Sequence, residues 1–263
     1  MIFESHAHYD DKAFDPDRSE LLNTMTENGI DYIINIGSDI PSLQKTLDLA
    51  KQYPFIYGAL GIHPSDTASL SEDNLIWVKE KIQKEDSKII AIGEIGLDYY
   101  WNEPEHKIQK FWFKKQLELA HELNLPVVIH SREAAKDTLD ILRENNVSEI
   151  GGVMHCFSYT KETACECLNM NLYIGIGGVI TFKNARKIRE AAAFIPLDKI
   201  LLETDCPYLA PMPYRGKRNN STYLTYVAKE IAAIKNTTYE NVCEQTKENA
   251  LRLFKINKST LFT

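Results

Sequence analysis

Long apolar runs, a cysteine framework, a glycine-rich phosphate loop behind the first strand and an excess of positive charge are all missing from this 263-residue chain. No window reaches the roughly 18 uninterrupted apolar residues that a membrane span needs. The start MIFESHAHYDD has acidic flanks and no basic leader, so a cytoplasmic protein without membrane contact is expected. Five cysteines, Cys156, Cys165, Cys167, Cys206 and Cys243, form an odd set without paired metal-ligand spacing. They read as reduced thiols, which excludes a secreted disulfide scaffold. Cys165 and Cys167 sit two apart on an expected helix, point to different faces and read as buried filler. The net charge of −7 argues against a basic, nucleic-acid-coating surface. That exclusion is partial, because divalent cations held at a site would reverse the local field.

What is present is ample apolar content, 44% of residues, enough for one large core and one domain spanning residues 1–263. Short apolar runs at Ile2 to Ser5, Tyr32 to Ile36, Ile56 to Gly61, Ile89 to Ile95, Pro126 to Ile129, Gly152 to Met154, Leu172 to Ile176 and Ile200 to Glu203 give eight strand candidates. Amphipathic stretches lie between them. In one, Ile108, Phe111, Trp112, Ala120 and Leu123 form the apolar side and Lys110, Lys114 and Lys115 the outer side. Helix starts are expected at Asp15-Pro16, at Ser38-Asp39 before Pro41, and at Ser71. Alternation of eight strands with helices predicts an α/β fold, a (β/α)8 TIM barrel, rather than an open doubly wound sheet. Residues Thr238 to Phe254, with Val242, Ala250, Leu251 and Phe254 on one side, read as an extra C-terminal helix packing on the barrel.

In such barrels chemistry gathers where strands end. His6, His8, Glu94, His130, His155 and Asp205 all sit at the ends of these runs. One divalent cation takes about three or four protein ligands, and a pair takes five or six. His6 and His8 are two apart on a strand, so both imidazoles face one side. Glu94, among isoleucines and glycines, is costly to bury without a cation or donors nearby. The expected arrangement places His6, His8 and Asp205 on one metal, His130 and His155 on a second, and Glu94 as the bridge. Four imidazoles and two carboxylates suit zinc or manganese.

With these motifs assembled, SHAHYD, GIHP, GEIGLDY, PVVIHSR, MHCFS, LLETDCPYLAP and RGKRN in this order, the chain resembles the TatD-like metal-dependent deoxyribonucleases of the amidohydrolase superfamily from end to end. The resemblance implies a TIM barrel, a divalent-metal centre associated with magnesium, and phosphodiester hydrolysis. It places the family's ligands on the same six residues and further pocket residues on His63 and Arg132. One departure is Glu4, where relatives commonly carry Asp; by strand alternation it is expected to point inward below His6. A glutamate rather than a carboxylated lysine at position 94 disfavours the cyclic amidase and phosphotriesterase types.

The expected reaction is attack on phosphorus by a water that two divalent cations activate, with Asp205 and Glu94 catalytic, Asp205 taking the proton, and Arg132 and His63 positioning the phosphate. A nucleic-acid strand, DNA in the first instance, is the expected partner, and no obligatory protein partner is inferred. Arg215, Lys217 and Arg218 are candidates for substrate binding, with Gly175, Gly177, Gly178 and Lys183 as a second phosphate-contacting group. Tight turns and a solvated loop would explain the same residues without a ligand. Glu203, Asp98 and Tyr99 are open between structural and ligand-orienting roles. Tyr9, Tyr208, Tyr214 and Phe157 are open between packing and base stacking. The alternative chemistry is hydrolysis of small esters or aminoacyl linkages on the same centre.

Overall fold

The computed structural model describes residues 1–84 and 87–256. Eight parallel strands follow one another around the sheet in chain order: β1 (Ile2–Ala7), β2 (Ile30–Gly37), β3 (Ile56–Leu60), β4 (Ile89–Asp98), β5 (Val127–Arg132), β6 (Gly152–Met154), β7 (Leu172–Ile176) and β8 (Ile200–Leu202). The helices between and after them are α1 (Arg18–Asn23), α2 (Ile40–Gln52), α3 (Glu72–Ile82), α4 (His106–Leu123), α5 (Ala135–Glu144), α6 (Lys161–Asn169), α7 (Arg186–Phe194), α8 (Leu224–Lys235) and α9 (Tyr239–Leu253). This is the expected (β/α)8 barrel.

Closure between β8 and β1 is thin in backbone pairing and completed by side chains. An isolated bridge joins Ala7 to Cys206. Around it, His8 N–H donates to the Cys206 carbonyl and Asp205 N–H to the His6 carbonyl, each at 2.9 Å. Glu4 spans the seam: its Oε1 accepts from His6 N–H at 3.1 Å and Thr204 N–H at 2.9 Å, and its Oε2 accepts from the Thr204 hydroxyl at 2.6 Å. The expectation of an inward Glu4 below the His6 ring is therefore corrected. Its carboxylate meets main-chain donors because β1 shifts register between Glu4 and Ala7, which breaks the simple alternation on which that expectation rested.

The core has two layers. Between strands and helices lies the larger one, with Ile33, Leu43, Phe113, Leu117, Ile129 and Ile231 among its buried members. Inside the barrel, Phe3, Tyr32, Ile34, Val128, Val153 and Leu201 pack against Leu251, Leu253 and Phe254, with Phe254 stacked on Phe3 at 6.3 Å. The end of α9 thus plugs the amino-terminal mouth with hydrocarbon, as the apolar side read from the sequence requires, and Thr238 caps its start. The opposite mouth is left to polar residues.

Capping chemistry accounts for two of the three expected helix starts. Asp39 caps α2 with Pro41 in its first turn, and Ser71 caps α3 in a reciprocal arrangement with Asn74. Asp15-Pro16 does not open a helix. A 3-10 turn over Lys12–Phe14 ends at Asp15, and α1 begins at Arg18, whose guanidinium pairs with the Asp15 carboxylate. On α4 the buried face is Gln109, Phe113, Gln116, Leu117 and Ala120, while Phe111 is 51% exposed. The two buried glutamines replace expected hydrocarbon because each pairs with backbone: Gln116 brackets Ile62 N–H and C=O, and Gln109 brackets Asp98 N–H and C=O.

Candidate metal centre

The carboxyl ends of the strands bring all six expected ligands together. His6 lies in β1 and His8 just beyond it, Glu94 in β4 and His130 in β5, while His155 directly follows β6 and Asp205 comes shortly after β8. Glu94, 3% exposed, sits between two groups. Its Oε2 is 3.4 Å from His6 Nε2 and 3.8 Å from His8 Nε2, and Asp205 Oδ1 lies 3.4 Å from His8 Nε2. Its Oε1 is 2.8 Å from His130 Nδ1 and 3.3 Å from His155 Nε2. The sets His6, His8, Asp205 and Glu94, His130, His155 each hold their donor atoms within 4.8 Å of one another.

Hydrogen bonds on the far side of the rings fix which nitrogen faces inward. His8 Nδ1 lies 3.0 Å from the Ile36 carbonyl, which only accepts, so Nδ1 carries the proton and Nε2 presents a lone pair to the centre. His130 repeats the pattern with its nitrogens exchanged. Its Nε2–H donates to Asp98 Oδ2 at 3.1 Å, leaving Nδ1 toward Glu94. Asp98 thereby orients the His130 ring, whereas Tyr99 turns away, donating to Asp137 and stacking on His106.

Electron-rich atoms at 2.8 to 3.4 Å from one another require positive charge among them. Without cations, protons fill that need. Burial opposes charge at His8, yet Asp205 and Glu94 outweigh it and lift the imidazole to about 9. Burial likewise acts to raise Glu94, but His155, His130 and His6 hold it well below the usual carboxylate range. Divalent cations would supply the same positive charge by displacing those protons, so the residues present fit a divalent-metal centre.

His63 lies at the edge of the centre. Its Nδ1 accepts from Ser65 N–H at 3.1 Å, which places its proton on Nε2, 3.9 Å from Glu94 Oε1. Burial and the neighbouring His130 push its pKa down to about 3, so His63 is a neutral N–H donor. Arg132 lays its guanidinium on the Tyr100 ring at 3.7 Å. Both line a cavity of about 660 Å³ above the centre, together with Trp101, Tyr208, Asp10, Asp39 and Asp66. Trp101 is 55% and Tyr208 54% exposed. Trp101 is not among the residues singled out from the sequence, where the available signal was the aromatic pair Tyr100-Trp101 directly after the GEIGLDY motif.

Other expected contacts fall elsewhere. Arg215, Lys217 and Arg218 do not line this cavity. Arg218 is bound by both oxygens of Asp17, while Arg215 and Lys217 lie over the rings of Phe182 and Tyr214. Tyr9 is fully buried and bonds Ser221, Phe157 is buried, and Tyr214 stacks on Tyr223 at 4.2 Å, so these three pack. Gly175 and Gly177 face Glu203, and Gly178 lies against the Leu209 carbonyl. Close packing against these groups accounts for the absence of side chains there.

Residues 3–255 match the family model described as TatD related DNase. The chain belongs to this family. Among its TatD-family relatives, the metal-dependent hydrolase YabD of Bacillus subtilis is 44% identical over 98% of this chain and 100% of its own. The 3'-5' ssDNA/RNA exonuclease TatD of Erwinia tasmaniensis is 31% identical over 97% of this chain and 100% of its own. Among solved structures, the TatD homologue YjjV of Escherichia coli superimposes with a TM-score of 0.92 at 28% identity, covering 97% of this chain and 98% of that one. Kinship therefore places the chain among the metal-dependent hydrolases of the TatD family.

Proposed function

We propose that this TatD-family protein hydrolyses phosphodiester bonds in single-stranded nucleic acid, DNA in the first instance, using two divalent cations, magnesium, manganese or zinc. The observation that carries the reading is Glu94, which offers one oxygen to each of two ligand groups. Bound there, a cation pair supplies Lewis acidity toward the phosphate and draws the pKa of water toward neutrality. The chain's own residues do the rest. Asp205, whose Oδ1 borders the first group, accepts the proton of the attacking water. The His63 Nε2–H, unable to act as a base through that atom, donates to a phosphoryl oxygen. Arg132, held flat on Tyr100, directs its N–H fork to the phosphate.

Trp101 and Tyr208 at the mouth offer faces to unpaired bases, a recognition that a duplex would deny them. Arg215 and Lys217, both exposed, contact the strand beyond the cavity, and Arg218 is left out of that role because Asp17 holds its charge. No described helix is long and apolar enough to cross a membrane. The free cysteines are consistent with a cytoplasmic setting.

One observation favours the second reading, hydrolysis of a small ester or aminoacyl linkage. Asp10, Asp11, Asp39 and Asp66 line the cavity alongside Arg132, an acidic rim that opposes a long polyanion. End-labelled single- and double-stranded DNA and RNA, with and without chelator and against Glu94→Ala, decide between them. Chelator-sensitive strand cleavage absent from the variant supports the nuclease. Turnover of a small ester that is indifferent to salt and to neutralising Arg215 and Lys217, with intact strands, supports the alternative.

A further inference from the structure

Glu203 follows β8 and is 1% exposed, yet it does not line the cavity and has no part in the chemistry above. Its Oε1 accepts from Cys156 N–H at 2.5 Å and lies 3.3 Å from His155 Nδ1. Among the described residues, the buried side-chain atoms without a hydrogen-bond partner are His6 Nδ1, His155 Nδ1 and Glu203 Oε2. These three residues also form one group with donor atoms within 4.8 Å of one another. Three orphaned atoms in one place, beneath the centre, call for an account.

Ring geometry supplies it. His6 and His155 stack at 3.6 Å with planes 14° apart, and each directs Nε2 to Glu94. An imidazole that gives its Nε2 lone pair to a cation carries its proton on Nδ1, and a buried N–H needs an acceptor. Glu203 is that acceptor for His155, its Oε1 lying 3.3 Å from His155 Nδ1, while His6 stacks on the ring so held. A cation seated on the Nδ1 atoms instead would force protons onto both Nε2 atoms and dismantle the centre above.

The barrel also gives up side chains to seat this carboxylate. A Cβ on Gly175 would stand 2.6 Å from the Glu203 carboxyl carbon, and one on Gly177 would stand 3.2 Å from its carbonyl oxygen. Two glycines of the GIGG segment are thus explained by Glu203.

We propose that Glu203 is a positioning residue. It holds His155 in the Nδ1–H form, so that a buried acid behind the centre orients the ring whose Nε2 faces Glu94. This rests on the cation reading of the centre and not on its substrate.

The test is calorimetric titration of the stripped full-length protein with Zn2+, alongside nitrogen-edited NMR of the imidazoles in the zinc-loaded form. Glu203→Gln keeps an acceptor for Cys156 N–H but loses the anion, and is expected to weaken Zn2+ binding by roughly 10 to 100-fold with a thermal midpoint near that of the parent. Gly175→Ala, which crowds the carboxylate, is expected to weaken binding in the same direction. In the parent, His155 is expected to show a slowly exchanging Nδ1–H resonance. Unchanged affinity in either folded variant overturns the proposal, and a freely exchanging His155 Nδ1–H in the parent overturns it even if neither variant folds. A parent that binds no Zn2+ sinks the cation reading itself, a different result from tight binding that ignores Glu203.

Discussion

Replacing Glu94 with glutamine is expected to remove one cation seat of the two, and the hydrogen bonds say which. An amide keeps one acceptor oxygen and turns the other into an NH2 group. With its Nε2–H committed to Asp98, a neutral His130 keeps its lone pair on Nδ1, the atom 2.8 Å from Glu94 Oε1. The amide nitrogen settles there, against His130 and His155, and the amide oxygen stays on the His6 and His8 side. The first seat keeps His6, His8 and Asp205 with a neutral oxygen. The second keeps two imidazoles facing a donor. Partners that merely orient a ligand are worth about 10 to 100-fold in affinity, so losing a charged ligand is expected to cost the second seat at least about 100-fold, or roughly 2.8 kcal/mol at 1.4 kcal/mol per decade. Calorimetric titration of stripped protein with Mn2+, paired with metal analysis, reads this directly. The parent is expected to take two equivalents and Glu94→Gln one tight equivalent. Two tight equivalents in the variant would refute the bridging role.

Three more outcomes follow from the same contacts. Gln116→Leu leaves Ile62 N–H and C=O without their buried partners, at about 2 to 4 kcal/mol, and loosens the turn that carries His63; urea unfolding that shows a loss below about 1 kcal/mol contradicts this. Trp101→Ala is expected to raise KM for a single strand by up to about 100-fold, the worth of a base stack, and to leave KM for a strand with abasic ends unchanged; equal effects on both strands count against stacking. Burial lifts the Glu4 carboxyl from 4.5 to about 8. A raised folded pKa means that its stabilising contribution is complete below 4.5 and disappears as pH rises through 8, so metal-free Glu4→Gln is expected to lose less stability than the parent across that window. Thermal midpoints that run parallel for the two proteins contradict it.

Much of the barrel was legible because its signals are local. The bounds read for the sixth and seventh strands, Gly152 to Met154 and Leu172 to Ile176, are those observed. Asp39 and Ser71 cap as their neighbours dictate. The meeting of His6, His8, Glu94, His130, His155 and Asp205 was legible because a barrel collects its strand ends, whatever their distance along the chain. What was missed depends on partners remote in sequence. Arg218 reads as a free cation until Asp17, 201 residues away, takes its charge. Phe111 reads as buried, yet the buried face of its helix holds Gln109 and Gln116 instead, because the backbones of Asp98 and Ile62 claim them. Glu4 was misplaced by a register shift that no period-two pattern reveals. Trp101 has its meaning only beside a cavity.

The central claim is that Glu94 stands between two cation seats, and a crystal soaked in Mn2+, measured at the manganese absorption edge, tests it most directly. Two anomalous peaks are predicted on opposite sides of the Glu94 carboxylate, one bounded by His6, His8 and Asp205 and the other by His130 and His155. A single peak, or peaks that leave Glu94 uncoordinated, would contradict the account.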